Sequence, residues 1–153
     1  MKILVNGCAG RMGLTLVRLI DADPALKLHG GLEGPEHADM GADLGVLAGL
    51  PENGKPVRAD ALELISGADA VIDFSTPAAT LEMAGLCAQA RIVHIIGTTG
   101  FNAEGEAALA AAARHATLVK SGNMSLGVNL LGALVRQAAA ALGEDWDIEI
   151  LDM

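Results

Sequence analysis

A short apolar run, Ile3-Leu4-Val5, passes directly into Asn6-Gly7-Cys8-Ala9-Gly10-Arg11-Met12-Gly13 and then into an amphipathic segment from Leu14 to Ile20. A buried strand that meets a glycine-rich turn and then a helix leaves few architectures open. Glycines let the backbone approach an anion closely, and the first N–H groups of the helix point at it. The helix dipole adds about half a positive charge at that end. This is the layout of a dinucleotide-phosphate cradle. The spacing is G-x-x-G-x-x-G rather than G-x-G-x-x-G, so the turn alone is also compatible with a ligand-free strand-to-helix connection. The chain downstream has to decide.

After the first helix, Asp23-Pro24 is a stop signal. Leu26 to Leu32 then reads as a second strand, ending at Glu33, 20 positions beyond Gly13. An acidic residue about 20 positions past the glycine turn is placed to accept from the adenosine ribose hydroxyls. Residues 34 to 56 read as a long loop, with a turn or two of local structure near Met40–Gly45. Asp60 to Ser66 reads as a short helix. Asp69 to Phe74 is a buried strand followed by Ser75-Thr76-Pro77, where a hydroxyl cap and a proline open a helix to about Ala90.

Arg91 to Ile96 is the next strand and lands on Gly97-Thr98-Thr99-Gly100. Asn102 caps an alanine-rich helix ending near His115. Thr117 to Lys120 is a further strand, followed by a third polar turn, Ser121-Gly122-Asn123-Met124-Ser125. The helix after it, about Leu126 to Leu142, carries Val128, Leu131, Leu134 and Val135 on one face. Strand and helix alternate throughout, which predicts an α/β, Rossmann-type doubly wound parallel sheet whose ligands gather outside the carboxyl ends of the strands. Trp146 to Met153 alternates apolar and acidic residues instead, the pattern of a half-buried strand in a mixed or antiparallel sheet. Such a strand has no partner of its own. Either it pairs within an oligomer or the chain passes into a second domain, and the second is expected: a dinucleotide-binding domain over residues 1–125, with residues 126–153 entering a second, α+β domain that is cut short.

Composition narrows the partners. The chain is 153 residues long, 52% hydrophobic yet 2% aromatic, with a net charge of −9. Small aliphatic residues suit helices packed closely on a parallel sheet. An acidic chain is a poor partner for nucleic acid, which calls for a basic surface. No apolar run approaches the roughly 18 residues of a membrane span, and Met1-Lys2 leads straight into the first strand. A cytoplasmic setting without membrane contact is expected. Cys8 and Cys87 stand in no metal spacing, and His29, His37, His94 and His115 are scattered, so no metal site is expected. His94, inside an apolar strand, reads as a packed, hydrogen-bonded histidine. Asp73 reads as a residue that orients the turn after it, and Lys120 as solvated or structural. A nucleophilic role for Cys8 is not supported, because no histidine base lies near it in sequence.

Four segments, taken in order, resemble one family. Gly7-Cys8-Ala9-Gly10-Arg11-Met12-Gly13 resembles the G-x-x-G-R-M-G opening of the 4-hydroxy-tetrahydrodipicolinate reductase (dihydrodipicolinate reductase) family. Asp73-Phe74-Ser75-Thr76-Pro77 is similar to its D-F-[ST]-x-P segment, Ile96-Gly97-Thr98-Thr99-Gly100-Phe101 to its I-G-T-T-G-F, and Ser121 to Asn129 to its N-[FM]-S-x-G-V-N region. Order and spacing agree over nearly the whole chain. The resemblance implies NAD(P)H-dependent reduction of 4-hydroxy-tetrahydrodipicolinate, a cyclic dicarboxylate, to tetrahydrodipicolinate in lysine and diaminopimelate biosynthesis, by a homotetramer when full length. Gly7, Cys8, Ala9, Gly10, Arg11 and Met12 would hold the pyrophosphate and Glu33 the adenosine ribose. Gly97, Thr98, Thr99, Ser121, Gly122, Asn123 and Met124 would line the nicotinamide end, and residues 126–153 would open the family's substrate and oligomerisation domain.

Two departures from the family pattern carry expectations of their own. Many relatives have arginine after the ribose-binding acid, and here that position is Gly34. A carboxylate with no adjacent cation repels a 2′-phosphate, so NAD(H) is expected over NADP(H), with Arg11 the one nearby cation able to offset this. The family's catalytic His-His pair, lysine and P-S-G-T-A loop follow a strand that Asp147-Ile148-Glu149-Ile150-Leu151-Asp152-Met153 resembles. No catalytic residue is therefore assigned, and these 153 residues are expected to bind dinucleotide without turning over alone. Two other classes stay open from sequence: a non-catalytic dinucleotide-binding module, and a dehydrogenase of the aspartate or homoserine type.

Overall fold

The computed structural model describes residues 1–151, which fall into two compact units, Met1–Gly122 and a second from Asn123 onward. The first unit is built on six parallel strands: β1 (Lys2–Asn6), β2 (Lys27–Leu32), β3 (Val57–Arg58), β4 (Ala70–Asp73), β5 (Val93–Ile96) and β6 (Leu118–Lys120). Their order across the sheet is β3-β2-β1-β4-β5-β6, every pairing parallel. The order reverses between β1 and β4. In open α/β sheets that reversal leaves a crevice outside the carboxyl ends, where ligands bind.

β1 is apolar on both faces because both are covered. Ile3 and Val5 pack with Val17 and Ile20 of α1 (Arg11–Ala22) and Leu44 of α2 (Leu44–Leu47). Leu4 packs with Val71, with Ile65 of α3 (Ala61–Ile65), and with Met83 and Cys87 of α4 (Pro77–Ala90). Ile96 packs with Ala84 of α4 and with Leu109 and Ala112 of α5 (Ala103–Ala112). Capping follows the sequence closely. Thr76 accepts from the Ala79 amide with Pro77 at the first helical position, and Asn102 accepts from the Gly105 amide.

Two features differ from the sequence reading. The 34–56 loop is ordered by one side chain. The Asp43 carboxylate caps α2 through the Val46 amide and also accepts from the amides of Asn53, Gly54 and Lys55. The chain then enters β3, two residues long, which the sequence did not announce. Residues 146–151 form no strand, contrary to the alternation that predicts one. Trp146, Ile148, Ile150 and Leu151 are exposed, and a period of two makes a strand only where a neighbour completes the ladder. Asp152 and Met153 lie outside the described residues.

The second unit contains α6 (Leu126–Leu142), capped by the Ser125 hydroxyl on the Val128 amide. None of its residues is buried. Val128, Leu131, Leu134 and Val135 make the expected apolar face and are 41–60% exposed.

Candidate dinucleotide site

The glycine turn is shaped by backbone contacts that admit no side chain. Gly7 has φ +76°, and a Cβ there would stand 2.6 Å from the Phe74 carbonyl oxygen. A Cβ on Gly13 would stand 2.1 Å from the Gly7 carbonyl oxygen, so the first turn of α1 lies directly on the loop before it. The amides of this loop divide into two sets. Those of Gly7 and Cys8 both donate to the Leu32 carbonyl (2.9 and 3.1 Å), and that of Gly10 donates to Gly7 (3.3 Å). The Ala9 amide donates to Glu33 Oε1 at 2.9 Å. Gly10, as N-cap, offers no side-chain cap. The amides of Arg11 and Met12 therefore face no acceptor among the described residues, at the positive end of a helix.

Glu33 follows β2 directly and is half-buried, one oxygen fixing it to the glycine turn. It lines a cavity of about 770 Å³ with Gly7 and Gly10, walled on the far side by Ala59, Ala79 and Met83. A second cavity, about 310 Å³, is lined by Arg11, Met12, Gly97, Thr98 and Thr99. Gly10, Phe74 and Ser75 line both, so the two adjoin at the carboxyl ends of β1, β4 and β5.

Cys8 points away from both cavities. It is buried, and a Cβ on Gly31 would stand 2.7 Å from its sulfur. Burial, with the Glu33 charge second, pushes its thiol up to about 12, which leaves it protonated and without nucleophilic character. Cys87 is likewise a core residue, pushed up to about 12 by burial and then by Asp73. The Ser121 amide donates to the Ile96 carbonyl (3.3 Å), which puts the start of the third turn beside the start of the second. Neither Ser121 nor Gly122 lines either of these two cavities, and Asn123 and Met124 belong to the second unit. Lys120 pairs with Glu106 and sits 5.2 Å from the centre of the Phe101 ring, a structural role.

Beneath the join of the two cavities lies a polar cluster that the sequence reading saw only in part. Asp73, fully buried, accepts from the Ser75 amide (3.0 Å), the Ser75 hydroxyl (2.6 Å) and the Thr98 hydroxyl (3.3 Å) through Oδ1. Through Oδ2 it accepts from Asn6 Nδ2 (3.0 Å) and His94 Nε2 (3.1 Å). Thr80 donates to Thr98 at 2.9 Å. Burial alone would raise the Asp73 carboxyl, but the hydrogen bonds from His94, Ser75 and Asn6, with the His94 charge, outweigh it and hold it below its ordinary value. Asp73 thus orients the turn after it, and His94 is the packed, hydrogen-bonded histidine expected. Asn6, Phe74, Ser75 and Thr80 were missed as site residues. Their signal was available in Asn6 and Ser75, polar side chains at or just past the carboxyl ends of buried strands.

A nicotinamide dinucleotide fits what is present. Two amides without acceptors among the described residues stand at a helix start, a carboxylate stands at the ribose distance along the chain, and a second, adjoining cavity reaches the threonine turn. Residues 1–124 match the model of a family described as dihydrodipicolinate reductase, N-terminus. The chain is 64% identical over its whole length to 4-hydroxy-tetrahydrodipicolinate reductase of Parvibaculum lavamentivorans, covering 57% of that protein. To the same enzyme of Sinorhizobium fredii it is 55% identical, again over its whole length and 57% of the relative. A solved dipicolinate-bound dihydrodipicolinate reductase from Paenisporosarcina sp. TG-14 superposes with a TM-score of 0.73 at 25% identity, over 92% of this chain and 54% of that one. The chain spans a little over half the length of the curated relatives it matches. Its sheet order, its glycine turn and these matches together establish that it belongs to the dihydrodipicolinate reductase family, of whose amino-terminal part it is an example.

Proposed function

We propose that this chain supplies the cofactor-binding part of a 4-hydroxy-tetrahydrodipicolinate reductase that uses NADH in preference to NADPH. The observation that carries the reading is the pair of adjoining cavities, with Glu33 in one and Thr98 and Thr99 in the other. The amides of Arg11 and Met12 would meet the pyrophosphate, and Glu33, anchored by Ala9, would accept from the ribose hydroxyls. Gly97, Thr98 and Thr99 would border the nicotinamide, with Ser121 beside them and Gly122, Asn123 and Met124 following in the chain. When bound, the cofactor supplies a hydride. The residues of this chain bind and orient it, and keep water from one face. In the full-length protein the acceptor would be the cyclic dicarboxylate and the assembly a homotetramer.

The choice between cofactors follows from charge. Glu33, Glu36 and Glu82 line the larger cavity, and no lysine or arginine does. Arg11 lines the second cavity instead, which weighs against its offsetting a 2′-phosphate near Glu33. One carboxylate about 4 Å from a phosphate charge costs on the order of 1–4 kcal/mol between bulk-water and protein-surface screening. Paired calorimetric titrations of this chain should give NADH binding at least about tenfold tighter than NADPH. Glu33→Gln should narrow that ratio while weakening NADH. Tighter NADPH binding by the unmodified chain would refute the preference.

A further inference from the structure

The turn after β4 and the turn after β5 share one buried anchor. Ser75 and Thr98, two of the three hydroxyl residues that follow those strands and line the second cavity, both donate to Asp73 Oδ1. They are also tied to each other, since the Ser75 amide donates to Thr98 Oγ1 at 3.2 Å. Oδ2 is held from behind by Asn6 and His94. Five donors converge on a carboxylate with about four lone-pair sites. The arrangement is costly as a mere core filler, because a buried charge is seldom more stable than well-packed apolar groups. It also leaves His94 Nδ1 buried without a partner among the described residues. The adenosine side is fixed independently, by Ala9 on Glu33 and by Leu32 on the glycine turn. Asn6 and Ser75 border the larger cavity too, yet neither bonds to Glu33.

We propose that Asp73 is a positioning residue for the nicotinamide half of the cofactor: through Ser75 and Thr98 it sets the wall of the second cavity, and it takes no part in holding the adenosine half. The proposal rests on the reading that one dinucleotide spans both cavities. Asp73→Ala removes the anchor. Asp73→Asn keeps an acceptor oxygen for Ser75 and Thr98. Thr98→Val removes one donor and keeps the shape.

The experiment measures the dissociation constants of NADH and ADP-ribose for each form of this chain, with a thermal melt to show that it is folded. The unmodified chain should bind NADH more tightly than ADP-ribose. Asp73→Ala should weaken NADH about tenfold or more and ADP-ribose by no more than about twofold. Asp73→Asn should recover most of the lost NADH affinity. Should Asp73→Ala fail to fold, Thr98→Val decides, with the same selective loss of NADH expected. Equal losses for both ligands, or none for either, overturn the proposal, because a residue that only supports the fold would not separate them. An unmodified chain that binds ADP-ribose but gains nothing from the nicotinamide also overturns it, leaving the adenosine-side reading intact. An unmodified chain that binds neither ligand overturns the dinucleotide reading and this proposal with it.

Discussion

Gly13→Ala is expected to destabilise the chain and to weaken NADH binding, although Gly→Ala inside a helix ordinarily stabilises by up to about 1 kcal/mol. The sign reverses because the new Cβ would stand 2.1 Å from the Gly7 carbonyl oxygen and 2.6 Å from the Cys8 carbonyl group. Backbone, unlike a side-chain tip, cannot swing aside, so α1 must lift from the turn. Overpacking of this kind costs roughly 1–3 kcal/mol and occasionally more. The net loss should be about 2 kcal/mol, a fall in Tm of roughly 4–8 °C for a chain of this size. Lifting α1 also moves the Arg11 and Met12 amides, and NADH affinity should drop by about tenfold or more. Gly85→Ala in α4 is the control, since nothing lies within 4 Å of its Cβ position. That substitution should raise Tm slightly. A Gly13→Ala protein as stable as the parent would show that the helix does not rest on the loop as described.

Asp73→Ala should cost more. Removing the acceptor of a buried hydrogen bond leaves its donor unsatisfied, at roughly 1–3 kcal/mol for each. Here Asn6, Ser75, Thr98 and His94 all lose an acceptor at once. The pH dependence has a definite sign. The Asp73 carboxyl is held below its ordinary value of 3.8 in the folded chain. Its contribution is then fully present above the ordinary carboxylate range and is lost as pH falls through the lowered folded value. Denaturant melts of the parent and of Asp73→Ala should differ by a constant amount from neutral pH down to about pH 5, a gap that closes only below the ordinary range. A gap that closed near neutrality would assign the stabilisation to the titration of another group.

Much of this fold was legible because its elements announce themselves locally. α4 and α6 begin where a hydroxyl cap stands before the helix, and α5 where Asn102 does. β1 and β4 are apolar without alternation, as strands covered on both faces must be. The lining of the larger cavity was legible where spacing along the chain encodes it, as for Gly7, Gly10 and Glu33. What stayed hidden depends on residues distant in sequence. The inward turn of Cys8 follows from the approach of Gly31 and Leu44, and nothing near position 8 states it. The cluster around Asp73 of β4 joins Asn6 of β1 with His94 within β5 and Thr98 just after it, which only the sheet order brings together. β3 escaped because two residues carry no period. Residues 146–151 misled for the opposite reason, a clear period with no neighbouring strand to realise it.

The central claim is that one dinucleotide lies along the crevice at the carboxyl ends of β1, β2, β4 and β5. Hydrogen exchange of this chain, read by mass spectrometry with and without NADH, tests it at the amides themselves. Protection is expected together at Arg11 to Gly13 and at Gly97 to Thr99, with the Asp43–Lys55 loop unchanged as internal reference. Protection at neither segment, or at the glycine turn alone under saturating NADH, would contradict the account.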